Sequence, residues 1–431
     1  MFALVKVLAF LYGECLVFCA LLKGLFNKEW RSSLKERIPF GLSRYLVVNS
    51  SLGSIQSNLI WFHAASVGEV QGIAPLIKTF LNEGPGRKIL ITTTSLTGKA
   101  RAKEIFPQAI VSLSPLDSCF LLRSFLLKYS PRLLIINETE IWPNMILSAS
   151  SFKVPVFIVN ARISDKSFPR YYFFKSLLGT LFSRIDKIFA QSKIDKERLE
   201  SLGAGNVEVL GSTKYDVDVG LPRNEKADFW NSYADKSSGL MVLTAGSVRE
   251  EEEDGIIAAF KELNKSFPEL RLVLAPRHPE RFSRVAMKLA QNKISYRERS
   301  GFDKSFNGGE SVLLLDTIGE LLFAYSVCDV AFVGGTLCPI GGHNILEPAY
   351  FSKPILTGPY LMNVRSISEL LLENQAIIIV RDHSELVLAL SDLLRDAKKR
   401  TLYGQNANDV SSRLKGVSIS LHAKISLLVN D

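Results

Sequence analysis

Short uninterrupted apolar runs, each closed by glycine or polar residues and followed by helical spacing, recur from residue 59 to residue 380. Leu59–Phe62, Lys88–Thr92, Ala109–Leu113, Leu133–Ile136, Val156–Val159, Ile188–Ala190 and Val207–Leu210 form a first set. Leu240–Thr244, Arg271–Ala275, Ser311–Leu315, Ala331–Val333, Pro354–Thr357 and Ala376–Val380 form a second. Strands apolar at consecutive positions are buried on both faces, as in a parallel sheet covered by helices. Residues 71–83 place Ile73, Leu76, Ile77 and Phe80 on one helical face. Residues 384–399 predict one long amphipathic helix, and Val417–Val429 a last helix able to cross back to the first domain. The pattern predicts an α/β chain of two parallel-sheet domains. The break at Gly220–Asn224 is the hinge candidate. It sets domains at 46–221 and 222–415, with residues 1–45 ahead of them and residues 416–431 behind.

Parallel sheets bind ligands beyond the carboxyl ends of their strands. In the first set those ends carry His63, Ser66, Glu69, Thr93, Ser95, Thr97, Glu138, Glu140, Asn144, Asn160 and Arg162. A carboxylate at a helix start, preceded by Gly68, is a candidate general base for a sugar hydroxyl. Ser66-x-x-Glu69 is equally the spacing of a capping box. Thr93–Gly98 reads as a phosphate-binding helix start, with Lys99 a solvated helix residue.

In the second set, Gly246, Ser247 and Arg249 end one strand, and Arg277 and His278 end the next. Glu250–Glu253 read as acids complementing a helix dipole. Thr317 and Glu320 have the spacing of a capping box before a helix. The richest stretch is Ala331–Pro359, where the apolar run Ala331–Val333 ends in Gly334-Gly335 and a second pair, Gly341-Gly342, opens His343-Asn344-Ile345-Leu346-Glu347. Glycine turns feeding a helix start offer free N–H groups to an anion. Glu347 would share a helical side with His343 and Asn344. A plain structural turn is the competing reading.

Ahead of the first domain, Met1–Phe26 is apolar, with Glu14 the one formal charge between Val7 and Leu22. Lys23, Lys28, Arg31, Lys35, Arg37 and Arg44 follow. An apolar helix with a basic flank favours an anionic membrane leaflet, whether the helix spans the bilayer or lies in the interface. The basic residues from Arg31 to Arg44 are expected to face lipid phosphate or acceptor headgroups. The composition changes this picture little: 431 residues suit two domains, and 47% apolar with 22% charged residues is a folded composition. A net charge of +9 fits nucleic acid, an anionic membrane or a phosphorylated substrate. Nucleic acid is the weakest of these, since no basic tail or zinc-finger spacing accompanies the charge. Cys15, Cys19, Cys119, Cys328 and Cys338 show no CxxC and read as buried, reduced residues. No histidine pattern suggests a protein-held metal.

The motifs HAASVGEV (63–70), TTTSLTG (92–98), ETEIWPN (138–144), NARIS (160–164), APRHPERF (275–282), DTIGELL (316–322) and GGHNILEPA (341–349), with the AGSVREEE segment around Gly246, together resemble bacterial 3-deoxy-D-manno-octulosonic acid (Kdo) transferases. The resemblance runs in order along nearly the whole chain. It implies a GT-B fold, two Rossmann-like domains facing a cleft, with an N-terminal membrane-associated helix. It implies metal-independent, inverting transfer of Kdo from CMP-Kdo to a lipid A precursor, with no cofactor, at the cytoplasmic face of the inner membrane. Anionic inner-membrane lipids are the further partner, and nucleic acid is not one.

By the same resemblance Glu69 is the catalytic base, and Glu138 and Glu140 lie on the acceptor side. The nucleotide contacts fall on Arg277, His278, Gly319, Glu320, Asn344 and Glu347. Gly246 and Ser247 are further candidates on the CMP side. Ser66, Gly68 and Thr97 are candidates around the acceptor or sugar. Arg162 and Arg249 are the two cations that could meet the Kdo carboxylate. The family's GPHxFN is here Gly358-Pro359-Tyr360-Leu361-Met362-Asn363, which lacks the ionisable ring. A GT-B transferase or epimerase using another sugar nucleotide, and a non-catalytic membrane lipid or nucleotide sensor, are the alternatives.

Overall fold

The computed structural model describes residues 1–38, 58–83, 86–216, 221, 224–234, 239–302 and 309–429. Arg44 and most of the hinge candidate Gly220–Asn224 lie outside these residues. Two compact units form, one from residues 1–217 with 414–431, the other from residues 218–413.

In the first unit seven parallel strands are ordered β3-β2-β1-β4-β5-β6-β7. They are β1 (Leu59–His63), β2 (Lys88–Thr93), β3 (Ile110–Leu113), β4 (Leu133–Asn137), β5 (Val156–Ala161), β6 (Lys187–Ala190) and β7 (Val207–Val209). Every residue of β1, β4 and β5 is buried, which is why their sequences do not alternate. Order reverses between β1 and β2 on one side and β1 and β4 on the other, so their carboxyl ends form a switch point suited to a ligand. The helix Val67–Asn82 leaves β1 there. The last helix, Val417–Leu428, packs on it through Leu421 and Ile425, and Asp216 accepts from the Gly416 N–H at 2.6 Å.

The second unit repeats the plan with the order β10-β11-β9-β8-β12-β13-β14, all parallel. Its strands are β8 (Met241–Val248), β9 (Leu270–Pro276), β10 (Tyr296–Glu298), β11 (Val312–Leu314), β12 (Val330–Val333), β13 (Ile355–Thr357) and β14 (Ile377–Ile379). Edge strand β10 has no counterpart in the apolar pattern. The expected single helix over 384–399 is two, His383–Arg395 and Ala397–Arg413, broken at Asp396.

Helix α1 (Phe2–Phe26) rests lengthwise on the first unit. Val5, Ala9, Gly13, Val17, Ala20 and Gly24 are its buried stripe. Gly13 is required there, because a side chain would collide with the Asp117 carbonyl and sit 2.7 Å from Asn144 Nδ2. The other face leaves Leu4, Leu11, Phe18, Leu25 and Phe26 exposed. Helix α2 (Lys28–Arg37) folds back on α1. Arg31 donates to the carbonyls of Gly24 and Leu25, each at 2.7 Å, satisfying the open end of α1.

Several expectations about this region change. Arg37 is buried and donates to the carbonyls of Thr94 and Ser114, so it does not face lipid. Arg31 is committed to capping α1. Lys99 pairs with Glu36 rather than standing in solvent. Cys15 and Cys19 are exposed on α1, and only Cys328 and Cys338 are buried.

Candidate functional sites in the two units

At the carboxyl end of β1 the chain turns through Ala64-Ala65-Ser66 into the helix Val67–Asn82. Ser66 caps it, receiving the Glu69 N–H at 3.4 Å. Glu69 returns the contact, accepting from Ser66 Oγ at 3.0 Å and from the Ala65 N–H at 2.9 Å. This is the reciprocal contact of a capping box displaced by one residue, since Glu69 reaches the N–H of Ala65 rather than that of the cap Ser66, and it holds the carboxylate still. Burial raises Glu69 to about 7, with the charges of Glu140 and Glu138 adding to the rise and the Ala65 and Ser66 hydrogen bonds opposing it. A capping glutamate with no other task would sit in water and stay ionised. This one is held near the value that suits a proton acceptor at neutral pH.

The neighbouring acids are also fixed. Glu140 accepts from Trp142 Nε1 at 2.9 Å and is itself raised, chiefly by burial. Glu138, at a left-handed φ of 59°, pairs with Lys214 Nζ at 2.6 Å. Sequence reasoning missed Lys214, the lone cation of Gly211–Asp216, because only folding brings it to Glu138. Beneath the acids, Asn160 donates to Asn137 Oδ1 at 2.7 Å and to Thr213 Oγ1 at 2.8 Å, tying the ends of β4 and β5 together. Arg162 is exposed just past β5, its N–H bonded to Thr139 Oγ1 at 3.0 Å. Thr97 is exposed on the next helix start, where Ser95 is the cap. Asn144 is not free for a ligand: it is buried and donates to the carbonyls of Ala9 and Asp117, each at 2.6 Å. His63 is likewise internal, its ring nitrogen 3.0 Å from Thr92 Oγ1, and burial lowers it to about 4.

In the second unit the cations gather at the ends of β8 and β9. Arg249 Nη1 contacts His278 Nε2. Arg277, Arg249 and His278 all bear on His343, which burial first and these charges second lower to about 4. His343 is therefore a neutral ring at physiological pH, and its Nε2 is buried without a partner. Glu347 is raised to about 7 by burial, against the Asn344 hydrogen bond at 3.3 Å and the Arg277 charge. His343, Asn344 and Glu347 thus come together with Arg277, although the helix Leu346–Tyr350 begins only after the first two.

The glycines around them have identifiable causes. Gly335 has φ 71°, and a side chain there would meet the His343 ring at 2.8 Å. Gly341, at φ 104°, faces the Asn363 side chain, and Asn363 donates to the Ile340 carbonyl at 3.1 Å. That gives the departing Gly358–Asn363 motif a structural task without a histidine. Gly246 is buried with Tyr325 filling its side-chain position, so it is a packing glycine. Ser247 carries the bulge beyond it, at φ 56°.

Two carboxylates behave otherwise than expected. Glu252, assigned to the helix dipole, is buried and accepts the N–H groups of Gly335, Thr336 and Leu337 at 2.7, 2.9 and 2.8 Å. Glu320 is also buried, accepting from Trp230 Nε1 at 3.0 Å and Arg299 Nε at 2.9 Å. Its carboxylate is turned away from solvent, which removes it from the expected nucleotide contacts except through its backbone. The Thr317–Glu320 capping box does not form; Thr317 Oγ1 is buried without a partner, and Gly319 turns at φ 83°. Among the described residues no group of three or more His, Cys, Asp or Glu could hold a metal ion.

The family model described as 3-Deoxy-D-manno-octulosonic-acid transferase (kdotransferase) matches residues 33–217. The 3-deoxy-D-manno-octulosonic acid transferase of Haemophilus influenzae is 34% identical over 361 residues, covering 83% of this chain and 84% of that one. That of Chlamydia trachomatis serovar A is 30% identical over 386 residues, covering 88% and 86%. Among solved structures, a UDP-GlcNAc 2-epimerase from Neisseria meningitidis superposes with a TM-score of 0.58 at 15% identity, covering 85% of this chain and 99% of that one. A glycosyltransferase from Rickettsia africae gives a TM-score of 0.57 at 13% identity, covering 86% and 97%. These two share the fold alone, the two-unit GT-B plan. Sequence identity at this level, over more than four-fifths of the chain, shows that the protein belongs to the 3-deoxy-D-manno-octulosonic acid transferase family.

Proposed function

We propose that this enzyme transfers Kdo from CMP-Kdo to a hydroxyl of a lipid A precursor, with the base supplied by the first unit and the donor held by the second. Family membership supports the reaction, and the observation that carries the mechanism is Glu69, fixed by two hydrogen bonds and raised to about 7. Glu69 takes the acceptor proton as the hydroxyl oxygen attacks the anomeric carbon. The bond to the CMP phosphate breaks on the opposite side, and CMP leaves as a phosphate monoester with inversion at carbon. Arg277, His278, the neutral His343 and the backbone at Gly319 receive the growing phosphate charge, with Asn344 and Glu347 beside the nucleotide. Ser66, Gly68, Thr97, Glu138 and Glu140 serve the acceptor side. Arg162 and Arg249 are the two candidates for the sugar carboxylate.

The apolar N-terminal helix associates the enzyme with the membrane. We infer that α1 lies in the interface rather than crossing it. A helix bound to one folded unit from Val5 to Gly24 cannot traverse a hydrocarbon core of about 30 Å without that unit. The basic flank favours the anionic cytoplasmic leaflet, and free cysteines suit that reducing side.

Incubation of the full chain with CMP-Kdo and tetraacylated lipid A precursor, followed by mass spectrometry, is expected to show a product heavier by one or more Kdo units together with released CMP. Absence of both products would overturn the assignment. A second expectation concerns Gly68, the second residue of its helix, where an added side chain would meet nothing within 4 Å. Packing does not demand glycine at this exposed position, and glycine in a helix costs roughly 0.5–1 kcal/mol relative to alanine. Gly68→Ala should raise the thermal midpoint slightly while raising the acceptor KM about tenfold, the scale of one misplaced carbon in a binding site. An unchanged acceptor KM would remove Gly68 from the site.

A further inference from the structure

Lys166-Ser-Phe-Pro-Arg-Tyr-Tyr-Phe-Phe-Lys175 presents aromatic side chains to solvent. The helix Phe168–Phe173 buries none of its residues. Tyr172, Phe173 and Phe174 are 45%, 81% and 50% exposed, and the two phenyl rings stand edge to face with centroids 5.0 Å apart. Exposed Lys166, Arg170 and Lys175 surround them, and the Lys175 ammonium lies 4.7 Å from the Tyr172 ring. Asp165, the one acid between residues 165 and 184, is paired with Arg198. The segment is firmly rooted, since Phe168 and Tyr171 pack on the core of the first unit together with Ile141 and Trp142.

Its position supplies the occupant. The following helix, Lys175–Phe182, packs against α1, and Arg184 lies 4.0 Å from the ring of Phe2. The aromatic patch is thus continuous with the element that associates the enzyme with the membrane. On its other side Tyr171 feels the charge of Glu140, after burial the second cause of its raised pKa. Aromatic rings flanked by cations are the composition favoured at a bilayer interface, where phenyl groups enter the acyl boundary and lysine and arginine meet phosphate. A second copy of this chain would set cations against cations.

We propose that Lys166–Lys175 is a second membrane-insertion element, entering an anionic bilayer beside α1 and bringing the Glu69, Glu138 and Glu140 face to the lipid surface. The consequence for the acceptor rests on the reading that the acceptor is a lipid; the insertion does not. Two attachments fix an orientation that a single helix, free to roll, does not.

The test uses the full chain with vesicles of phosphatidylethanolamine and phosphatidylglycerol whose acyl chains carry bromine, a quencher of indole fluorescence. Phe173→Trp should show quenched, blue-shifted emission beyond that of the wild type, whose four tryptophans give the background. Phosphatidylcholine vesicles should give a weaker effect. Phe173→Ser with Phe174→Ser should slow turnover of vesicle-embedded acceptor about tenfold, the scale of two partly buried rings, and leave turnover of detergent-dispersed acceptor unchanged. Unquenched emission from vesicle-bound Phe173→Trp protein overturns the proposal. So does an equal loss in both acceptor formats, or a change of oligomeric state without quenching, which would mark a protein contact. Failure of the wild type to form product in detergent would defeat the reaction assigned above while leaving the quenching result standing.

Discussion

Glu69→Gln is expected to lower kcat by about 10²–10⁴, the contribution of a positioned base, while CMP affinity stays unchanged. The substitution keeps the size of the side chain and one oxygen for the Ala65 N–H or Ser66 hydroxyl, but it cannot accept the acceptor proton. Its pH behaviour separates a base from a mere capping residue. In the wild type kcat/KM should climb with pH and level off above about 7, where Glu69 ionises; the variant should lack that limb. Stability moves the other way. An ordinary glutamate ionises near 4.5, so between 4.5 and about 7 the unfolded chain has released a proton that the folded chain keeps. The unfolded state then binds fewer protons, and the wild type loses stability as pH rises through that window. Glu69→Gln carries no such group, so its thermal midpoint should gain on the wild type as pH rises from about 4.5 to about 7. A variant with kcat within threefold of normal would exclude Glu69 as the base.

The strands were legible because parallel sheets covered on both faces demand unbroken apolar runs. Leu133–Ile136 and Val156–Val159 announce themselves, and the end of each strand then gives the position of its polar residues. Strand β10 was not legible, since Tyr-Arg-Glu is an exposed edge with no apolar signature. The split at Asp396 escaped notice because amphipathic spacing persists across a short interruption. Glu69 could be singled out as a helix-start carboxylate. Its raised pKa could not, because that depends first on burial and then on Glu140 and Glu138, and only folding buries the carboxylate and brings near those acids, some seventy residues away in the chain. Local rules gave adequate accounts of Glu252 and Glu320, one as a dipole partner and the other as a capping-box acid. Yet Glu252 also holds the Gly335 N–H, 83 residues away, and Glu320 the Trp230 indole, 90 residues away. A sequence rule that already explains a residue conceals any long-range role it has.

Glu252 therefore carries the second large expectation. Its two oxygens accept four backbone N–H groups: those of Arg249 and Gly335 on Oε2, and those of Thr336 and Leu337 on Oε1. One carboxylate thereby joins the start of the helix Glu250–Leu263 to the turn after β12. The same turn supports the His343 ring through Gly335. Glu252→Ala removes the acceptor and leaves a cavity, with mostly buried donors that have nowhere else to go. The expected loss is roughly 3–5 kcal/mol, read from the denaturant transition of the second unit. CMP affinity should fall at least about tenfold with it, because His343 and its neighbours lose their support. Glu251→Ala, one residue earlier and exposed, should change stability by no more than about 0.5 kcal/mol. That contrast separates the two accounts of the acidic run: if helix-dipole compensation were the whole reason for it, neighbouring glutamates in the same first turn would cost about the same to remove. Equal effects at Glu251 and Glu252 would mean that the turn holds its shape without the buried carboxylate.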